Sequence, residues 1–479
     1  MQVGGDFYAT ATSDRWAPVF PVLHSRDLVS WEQVGSIFDE APSWATGRRF
    51  WAPQISWSDG RFVVLFAGLK QNGRFCIGAA TATDPRGPWT DEGPLVCRAG
   101  GAIDPTTVVR EDGTTWLVFK AQGTGGGLFA QQVDLRTFDV LGASVPLIAP
   151  DRGFERGVTE GATVFKEGPW WYLMYSGGGC CKPPCGYVEA VARSADLLGP
   201  YVKRDDPVLV GGAEWRCPGH GTVIRLGDAS LQLLHHGYVA DDVLNRRRQG
   251  LLTPVTIDGE GWPTVGTGVA TVAVTSPLGS LQQRGPARFG DTFDTPKLQP
   301  GWQSVIRTTP PQVKTGDRQM RLGCGGTGAL VTRQVAVDRF ALAVTVQLPR
   351  GGALPALVVR DRNGVHRGIE VRDGSVRSIV YRGTSVVLGV PVAVPRKRSV
   401  RVLVTVAPGG GLGTWVTTAG GTRRVPEGAA TSGHGPSRFG LACRGAGTAV
   451  LSDLRLAGDG TAPVSVPVAA SWRTMATGG

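Results

Sequence analysis

The sequence of 479 residues lacks any apolar run of about 18 residues, so we predict no segment that spans a membrane. It also lacks a signal-peptide pattern, because Met1 leads directly into Gln2 and Val3 without an apolar stretch. Helical patterns are nearly absent. The formal charge of +11 comes mostly from scattered arginines, and no recognition helix or aromatic-basic motif accompanies it. We therefore expect neither a membrane nor a nucleic acid as partner.

Residues of tight turns and strands, by contrast, are abundant. The chain contains 70 glycines, 33 prolines and 14 tryptophans, and many short runs of Val, Thr, Leu and Tyr lie between turn residues. This composition is typical of an all-β protein with many tight connections. Because the chain is too long for one ordinary hydrophobic core, we predict two domains. We also expect the protein to be a monomer.

Eight cysteines are many for a reduced cytosolic protein, and three of them lie within residues 180–185. We therefore predict an exported, extracellular protein. In the C-terminal half we predict a disulfide between Cys324 and Cys443 that ties the first and last strands. Cys180, Cys181 and Cys185 could form a zinc set with Cys217 and His220, but adjacent cysteines are awkward joint ligands of one tetrahedral ion, so disulfides are favoured.

A repeated phrase runs through the first half of the chain: an apolar strand, a tight turn with glycine, then a strand rich in aromatics. The turn glycines are at positions 5, 60, 113, 168 and 227, at intervals of 53–59 residues. A period near this length without helices predicts the blades of a β-propeller, and five phrases predict five blades. The alternative is a chance alignment of hairpins in a β-sandwich.

The strand before each turn is predicted to line the central channel of the propeller. Counted back from the turn glycines, Trp51, Asp104, Glu160 and His220 fall at nearly the same place in four successive phrases. Each has an ordinary structural explanation, such as a turn-capping Asp or a core His. Their common register favours a shared site.

At these residues the sequence resembles glycoside hydrolase family 43, a family of arabinanases, α-L-arabinofuranosidases and β-xylosidases on a five-bladed propeller. The motifs that carry the resemblance are Phe50-Trp51-Ala52-Pro53, Ile103-Asp104-Pro105-Thr106, Glu160-Gly161 followed by Trp171-Tyr172-Leu173-Met174-Tyr175-Ser176, and Gly219-His220-Gly221-Thr222. The resemblance implies hydrolysis, with inversion, of O-glycosidic bonds in plant-type polysaccharides or oligosaccharides that contain arabinose or xylose. Inversion needs two carboxyl groups about 6.5–9.5 Å apart.

The resemblance also assigns roles. Glu160 matches the general acid, and Asp104 matches the carboxylate that orients it and raises its pKa by like-charge proximity. His220 matches a histidine near a calcium ion that is bound largely through waters. Trp51 is a candidate platform for a sugar ring. Arg248, with Arg246 and Arg247 as alternatives, matches an arginine that holds the substrate or a carboxylate.

The general base of the family is an Asp in the inner strand of the first blade, and counting back from the Gly5 turn arrives ahead of Met1. We predict that Asp14, after the second strand, lies at the wrong end of the blade to replace it. Two accounts follow: a start placed too far downstream, which removes the first strand, or a carbohydrate-binding propeller that is catalytically incomplete. A transferase or phosphorylase on a similar scaffold is a third alternative.

The propeller is predicted over residues 1–276, a linker over 277–287, a second domain over 288–458 and a loose tail over 459–479. Alternating strands such as Phe340–Val346 and Ser399–Val406, separated by Gly-rich turns, predict a sandwich of two antiparallel sheets. This region resembles the concanavalin-like jelly-roll domain that follows the propeller in many β-xylosidases. Its carriers are Asp291-Thr292-Phe293-Asp294 with Trp302, and Phe439–Gly445 with Asp453-Leu454-Arg455.

Overall fold

The computed structural model divides the chain into two compact units, Met1–Gln282 and Gln283–Gly479. The structure describes residues 1–123, 125–182, 184–240, 248–271, 288–306, 310–325, 328–335, 339–349, 351–361, 364–382, 385–396, 398–407, 411–427 and 438–458. These residues form strands and one short 3-10 turn, which confirms the predicted all-β class. None of their helical segments has the length and apolar character needed to cross a bilayer.

The first unit contains 21 strands in the described residues. They are β1 (Gln2–Val3), β2 (Asp6–Thr10), β3 (Trp16–Ala17), β4 (Val19–Ser25), β5 (Glu32–Phe38), β6 (Trp51–Ser58), β7 (Arg61–Leu69), β8 (Phe75–Ala82), β9 (Thr90–Cys97), β10 (Ala102–Val109), β11 (Thr115–Ala121), β12 (Gly127–Asp134), β13 (Asp139–Ile148), β14 (Thr159–Glu167), β15 (Trp170–Gly177), β16 (Val188–Ser194), β17 (Val202–Lys203), β18 (Trp215–Arg225), β19 (Leu231–Val239), β20 (Arg248–Ile257) and β21 (Pro263–Val265). The 3-10 turn is Gly153–Glu155.

Twenty of these strands, all except β3, form five antiparallel sheets of four strands each. Their orders are β1-β2-β4-β5, β6-β7-β8-β9, β10-β11-β12-β13, β14-β15-β16-β17 and β18-β19-β20-β21. Each repeated turn glycine lies between the first and second strand of its sheet, so the repeat marked the blades and the five-bladed propeller is confirmed. Where the sequence predicted a missing first strand, the structure has the two-residue Gln2–Val3, paired with β2.

Apolar cores between successive blades hold the propeller together. The second and third blades share Leu65, Ile77 and Phe119, and corresponding cores join the third blade to the fourth and the fourth to the fifth. Phe7 of β2 packs with Ile224 of β18, so the first blade also contacts the fifth and the ring is closed. Each fully buried Leu, Ile or Phe contributes about 1.5–3 kcal/mol to such a core.

The second unit contains a further set of strands in its described residues. They are β22 (Arg288–Asp291), β23 (Ser304–Val305), β24 (Val313–Gly316), β25 (Gln319–Gly323), β26 (Ala329–Gln334), β27 (Phe340–Gln347), β28 (Ala353–Arg360), β29 (His366–Arg372), β30 (Ser375–Arg382), β31 (Ser385–Leu388), β32 (Val392–Ala393), β33 (Ser399–Val406), β34 (Leu412–Thr418), β35 (Gly421–Arg424), β36 (Arg438–Gly445) and β37 (Thr448–Gly458). One sheet has the order β24-β25-β37-β27-β33-β34-β35, with β22 beside β37. The other has the order β26-β36-β28-β29-β30-β31, with β32 beside β30.

The two sheets share one buried core, so the second unit is the predicted β-sandwich. Val402 and Val404 of β33 project into this core from one sheet, and Leu357 of β28 and Leu441 of β36 project from the other. Alternate residues of each strand point inward, as the period of a strand requires. The concanavalin-like relationship stays a prediction, and the predicted linker 277–287 and tail 459–479 lie outside the described residues.

The predicted disulfide between Cys324 and Cys443 is confirmed. Its place differs from the prediction, because Cys324 follows β25 in one sheet and Cys443 lies in β36 of the other. The bond therefore links the two layers of the sandwich, whereas the prediction had joined the first and last strands. Both sulfur-bearing side chains are fully buried in the shared core.

Candidate active site

Four inner strands carry a β-bulge at equivalent positions near their beginnings. The register shifts fall between Trp51 and Gln54, Ile103 and Thr106, Glu160 and Thr163, and Gly219 and Thr222. The first residue of each bulge has a left-handed backbone: φ is 47° at Ala52, 56° at Asp104, 59° at Gly161 and 51° at His220. A bulge bends the strand and re-aims its side chains, and such bulges concentrate beside active sites.

Relative to the bulges, the four predicted residues do not all occupy the same position, and two of them differ from the other two by one residue. Asp104 and His220 stand on the bulge itself, whereas Trp51 and Glu160 are the residues just before it. Successive side chains in a strand point to opposite faces, so a difference of one residue changes the face to which a side chain points. The loop lengths before the turn glycines differ between blades, which is why counting back from the glycines blurred this distinction.

Asp104, Gly161 and His220 form a contact chain across three blades. The backbone N–H of Gly161 donates a hydrogen bond to Oδ2 of Asp104 at 3.2 Å. On its other side Gly161 faces the imidazole of His220, and a Cβ placed on Gly161 would lie 2.9 Å from two atoms of that ring. The backbone N–H of His220 donates to Oγ of Ser176 at 2.7 Å. The structure thus brings together Asp104, His220 and the strand start that carries Glu160.

Glu160 is held by two donors that the sequence analysis missed. Nζ of Lys120 lies 2.5 Å from Oε2 of Glu160, and the hydroxyl of Tyr187 donates to Oε1 at 2.9 Å. Lys120 lies on β11 opposite Ile103, and it is a charged residue at the end of the apolar run Trp116-Leu117-Val118-Phe119. A charged residue at the end of an apolar strand could have been recognised in the sequence as a candidate site residue. Tyr187 lies outside the repeated phrase, and no sequence pattern pointed to it.

Burial raises the pKa of Asp104, and the nearby Glu160 carboxyl raises it further, whereas His220, Lys120 and the Gly161 N–H act in the opposite direction. The Asp104 side chain is only 7% exposed, which makes the ionised form costly. The predicted effect of Asp104 on Glu160 stays a prediction. For Asp104, loss of solvent is the larger cause of the raised pKa and the like charge of Glu160 is the smaller one.

Trp51 lies at the same end of its strand as the other site residues. Its indole stacks on Phe75, with ring centroids 4.5 Å apart, and its Nε1–H donates to Oδ1 of Asp14 at 3.2 Å. Asp14 also forms an isolated bridge with Phe50. The prediction that Asp14 lies at the wrong end of the blade was therefore wrong, because β2 runs away from the turn and its continuation reaches the end at which β6 begins.

Arg248 is the first residue of β20 and is exposed. Its Nε and Nη2 both contact the hydroxyl of Tyr238, at 3.2 and 3.1 Å, and Nη2 lies 3.1 Å from Sγ of Cys181. Three rings connect this arginine with the predicted acid: Tyr238 contacts His236 edge to face, and His236 stacks on Tyr187. Arg246 and Arg247, the alternatives to Arg248, lie outside the described residues.

A second buried carboxyl lies in the same blade as Glu160. Glu160, Ser176 and Glu189 are direct neighbours across β14, β15 and β16. Oγ of Ser176 donates to Oε2 of Glu189 at 2.8 Å. Glu189 is fully buried, and burial raises its pKa to about 8, with the Ser176 hydrogen bond acting in the opposite direction. Sequence reasoning missed Glu189, which has no counterpart in the other repeats.

The inner strand of the first blade, Gln2–Val3, contains no carboxylate, and the position of the general base stays a prediction.

Cys180 pairs with Cys181 and Cys185 pairs with Cys217, so disulfides rather than a zinc set occupy this region. Among the described residues no group of three or more His, Cys, Asp or Glu could hold a metal ion. His220 would supply a single nitrogen, while calcium prefers several oxygen ligands, so these side chains do not form a direct calcium site.

A profile described as glycosyl hydrolases family 43 matches residues 1–263, which is more than half of the chain. The chain belongs to this family. The match spans nearly the whole propeller, including all four bulged inner strands and the residues Asp104, Glu160 and His220 that they carry.

Among family 43 relatives, a non-reducing end α-L-arabinofuranosidase of Bacteroides ovatus is 28% identical over 284 residues, covering 55% of this chain and 50% of the relative. A xylan 1,3-β-xylosidase of a Vibrio species is 26% identical over 260 residues, covering 49% and 46%. The chain thus spans about half the length of these curated relatives. The solved xylan β-1,4-xylosidase of Bacillus halodurans C-125 has a TM-score of 0.78 at 20% identity, covering 95% of this chain and 97% of that one. At this identity the likeness establishes the fold.

Proposed function

We propose that this protein is a glycoside hydrolase that cleaves, with inversion, O-glycosidic bonds in xylose- or arabinose-containing oligosaccharides or polysaccharides. One observation carries the proposal: the inner strands of three successive blades bring Asp104 and His220 into contact with Gly161, the residue that follows Glu160. Family 43 membership supports the reaction type. The substrate class rests on the xylosidase and arabinofuranosidase relatives.

In this proposal Glu160 is the general acid that gives its proton to the glycosidic oxygen as the bond breaks. Proton transfer leaves a carboxylate, and Lys120 and Tyr187 are already placed on its two oxygens. Charge-assisted hydrogen bonds of this kind stabilise the ionised form. The two donors therefore favour departure of the proton and fix the direction in which the carboxyl points.

Asp104 acts as a positioning residue in the same proposal. Its Oδ2 accepts the N–H of Gly161, the residue that follows the acid, so it fixes the backbone from which Glu160 projects. Its raised pKa favours the protonated form, which limits repulsion between two neighbouring carboxyls. The bulge that carries Asp104 and the bulge that follows Glu160 are therefore coupled.

Trp51 and Arg248 are proposed to bind the sugar. The indole of Trp51 offers a flat apolar face, and its stacking on Phe75 and hydrogen bond to Asp14 fix the ring plane before a ligand arrives. Arg248 offers charged N–H donors to sugar oxygens or to a carboxylate.

A calcium ion bound through waters near His220 also stays a proposal. We further propose an extracellular location, supported by four disulfides and no free cysteine among the described residues.

Hydrolysis of 4-nitrophenyl β-D-xylopyranoside and 4-nitrophenyl α-L-arabinofuranoside by the full chain tests the proposal. We expect release of nitrophenol from at least one of them. Proton NMR of the first-formed sugar should show the anomer opposite to that of the substrate, as inversion requires. Binding of xylo- or arabino-oligosaccharides without any hydrolysis would refute the enzymatic proposal.

Glu160→Gln tests the acid directly. We expect kcat/KM on xylobiose or arabinobiose to fall by about 10²- to 10⁴-fold, and the loss on 4-nitrophenyl glycosides to be smaller, because nitrophenolate leaves without a proton. Glu167→Gln is the matched control, since Glu167 lies at the far end of the same strand. Equal losses on both classes of substrate would argue against Glu160 as the acid.

A further inference from the structure

The loop between β15 and β16 leaves the fourth blade at the end where the proposed acid lies. Glu160 pairs with Ser176 across β14 and β15, and Thr159 pairs with Gly177, so the chain beyond Gly177 continues past the site. We call residues 178–182 and 184–186 the cystine loop, because they contain three cysteines that are all in disulfides. Arg248 begins β20 at the same end, since Tyr238 of β19 is its partner.

Two disulfides of different kinds shape this loop. Cys185 pairs with Cys217 on β18, the strand that carries His220, and therefore ties the fourth blade to the fifth. Tyr187, Tyr238 and Cys217 form an apolar cluster against which Cys180 and Cys185 pack. The loop is thus anchored on the ring system that reaches the acid through the hydroxyl of Tyr187.

The second disulfide joins the neighbours Cys180 and Cys181. A disulfide stabilises a fold mainly by closing a loop in the unfolded chain, and the effect grows with loop length. A bond between adjacent residues closes almost no loop, so it contributes little to global stability. Its consequence is local, because it closes a small ring through the peptide unit of the two cysteines and restricts rotation there.

The sulfur of Cys181 lies against the guanidinium of Arg248. Nη2 contacts this Sγ at 3.1 Å and the Tyr238 hydroxyl at 3.1 Å, and Nε contacts the same hydroxyl at 3.2 Å. The guanidinium is planar, so two partners on one edge fix its plane and direct the remaining edge. Among the described residues these contacts engage Nε and Nη2 and leave the Nη1 donors to face a ligand.

We propose that the Cys180–Cys181 disulfide is a positioning element that, with Tyr238, holds the Arg248 guanidinium in the orientation that binds a pentose unit of the substrate. The inference deepens the proposed function and rests on it. Sulfur is a weak hydrogen-bond acceptor, so the disulfide contributes direction more than binding energy. It makes the cystine loop a determinant of sugar affinity and leaves the chemistry of Glu160 unaltered.

The double variant Cys180→Ser/Cys181→Ser tests this role. We expect KM for the better of the two nitrophenyl glycosides to rise by about tenfold, the loss expected when a charged donor is no longer held on its partner, while kcat changes by less than about twofold. The melting temperature should stay nearly constant. The matched control is Cys76→Ser/Cys97→Ser, which removes a disulfide of the second blade and should lower the melting temperature but not alter KM.

Combination with Arg248→Ala separates positioning from a general effect of the loop. If the disulfide acts through Arg248, removal of both cysteines in the Arg248→Ala background should raise KM no further. A rise in KM that multiplies the effect of Arg248→Ala would overturn the proposal. So would an unchanged KM in the Cys180→Ser/Cys181→Ser variant.

Chemical labelling provides a readout that needs no turnover. Phenylglyoxal modification of Arg248, followed by peptide mass spectrometry, should be faster by about fivefold in the Cys180→Ser/Cys181→Ser variant, since the guanidinium is no longer held. D-xylose or L-arabinose should slow labelling of the wild-type chain more than that of the variant. An equal labelling rate in both chains contradicts the positioning role, whereas absence of hydrolysis with altered labelling contradicts only the proposed function.

Discussion

At the scale of residues, the site depends on backbone strain at the bulges. Asp104 and His220 adopt a left-handed backbone that residues with a side chain rarely take, at a typical cost of about 1–3 kcal/mol each. The same conformation at Gly161 costs little, because glycine has no Cβ. Glycine is also required there by space, since a Cβ would lie only 2.9 Å from two atoms of the His220 imidazole.

Gly161→Ala should therefore damage both stability and activity. The added methyl group must shift either His220 or the Gly161 backbone, whose N–H donates to Asp104, so we expect kcat/KM to fall by at least about tenfold. Gly168→Ala is a close control, because Gly168 ends the same hairpin with φ at 54° and has open space around it. It should lower the melting temperature while the kinetics are retained. Equal kinetic losses in the two variants would contradict the proposed role of Gly161.

Residue patterns in the sequence predicted one part of the site and missed another. Asp104, Glu160 and His220 recur at nearly the same place in successive phrases, so the repeat found them, and the structure places Asp104 and His220 against Gly161, the residue that follows Glu160. Lys120 and Tyr187 hold Glu160 but stand on other strands, and a period along the inner strands carries no information about them. The one-residue offset at the bulges also escaped detection, because it depends on strand pairing.

At the scale of elements, turn glycines and aromatic strands were enough to count the blades, because each blade is a local meander of hairpins. The sandwich strands were also predictable, since alternation in β27 and β33 follows directly from burial on one face. Their order in the sheets was not predicted. β37 pairs with β25 and β27, which are distant in sequence, and local patterns do not encode such pairings.

The disulfide between the sandwich layers should be a large element-scale contribution to stability. Cys324 and Cys443 are 119 residues apart, and the loop-entropy relation gives about 5 kcal/mol, against about 3 kcal/mol for Cys76 and Cys97, which are 21 apart. We expect Cys324→Ala/Cys443→Ala to lower the free energy of unfolding of its unit more than Cys76→Ala/Cys97→Ala lowers that of the propeller. Urea titrations under non-reducing conditions measure both. The reverse ranking would show that loop closure is not the dominant effect.

At the scale of the whole molecule, buried titratable groups link stability to pH. Burial raises the pKa of Glu189 to about 8 in the folded chain, whereas the ordinary pKa of a glutamate carboxyl is 4.5. Between these values the folded state binds more protons than the unfolded state, so the free energy of unfolding falls as pH rises, by up to about 1.4 kcal/mol per pH unit. His235, whose pKa burial lowers from 6.5 to about 4, opposes this trend below pH 6.5. The net decline attributable to these two groups should therefore lie between pH 6.5 and 8.

Glu189→Gln isolates the contribution of this carboxyl, since the amide keeps the shape of the protonated acid and cannot ionise. We expect the melting temperature of the wild-type chain to fall relative to that of the variant as pH rises from about 4.5 to 8, so that the variant becomes the more stable chain at pH 8. Below pH 4.5 the two chains should converge, because Glu189 is protonated in both the folded and the unfolded state. Parallel curves across this range would show that Glu189 ionises without cost in the fold.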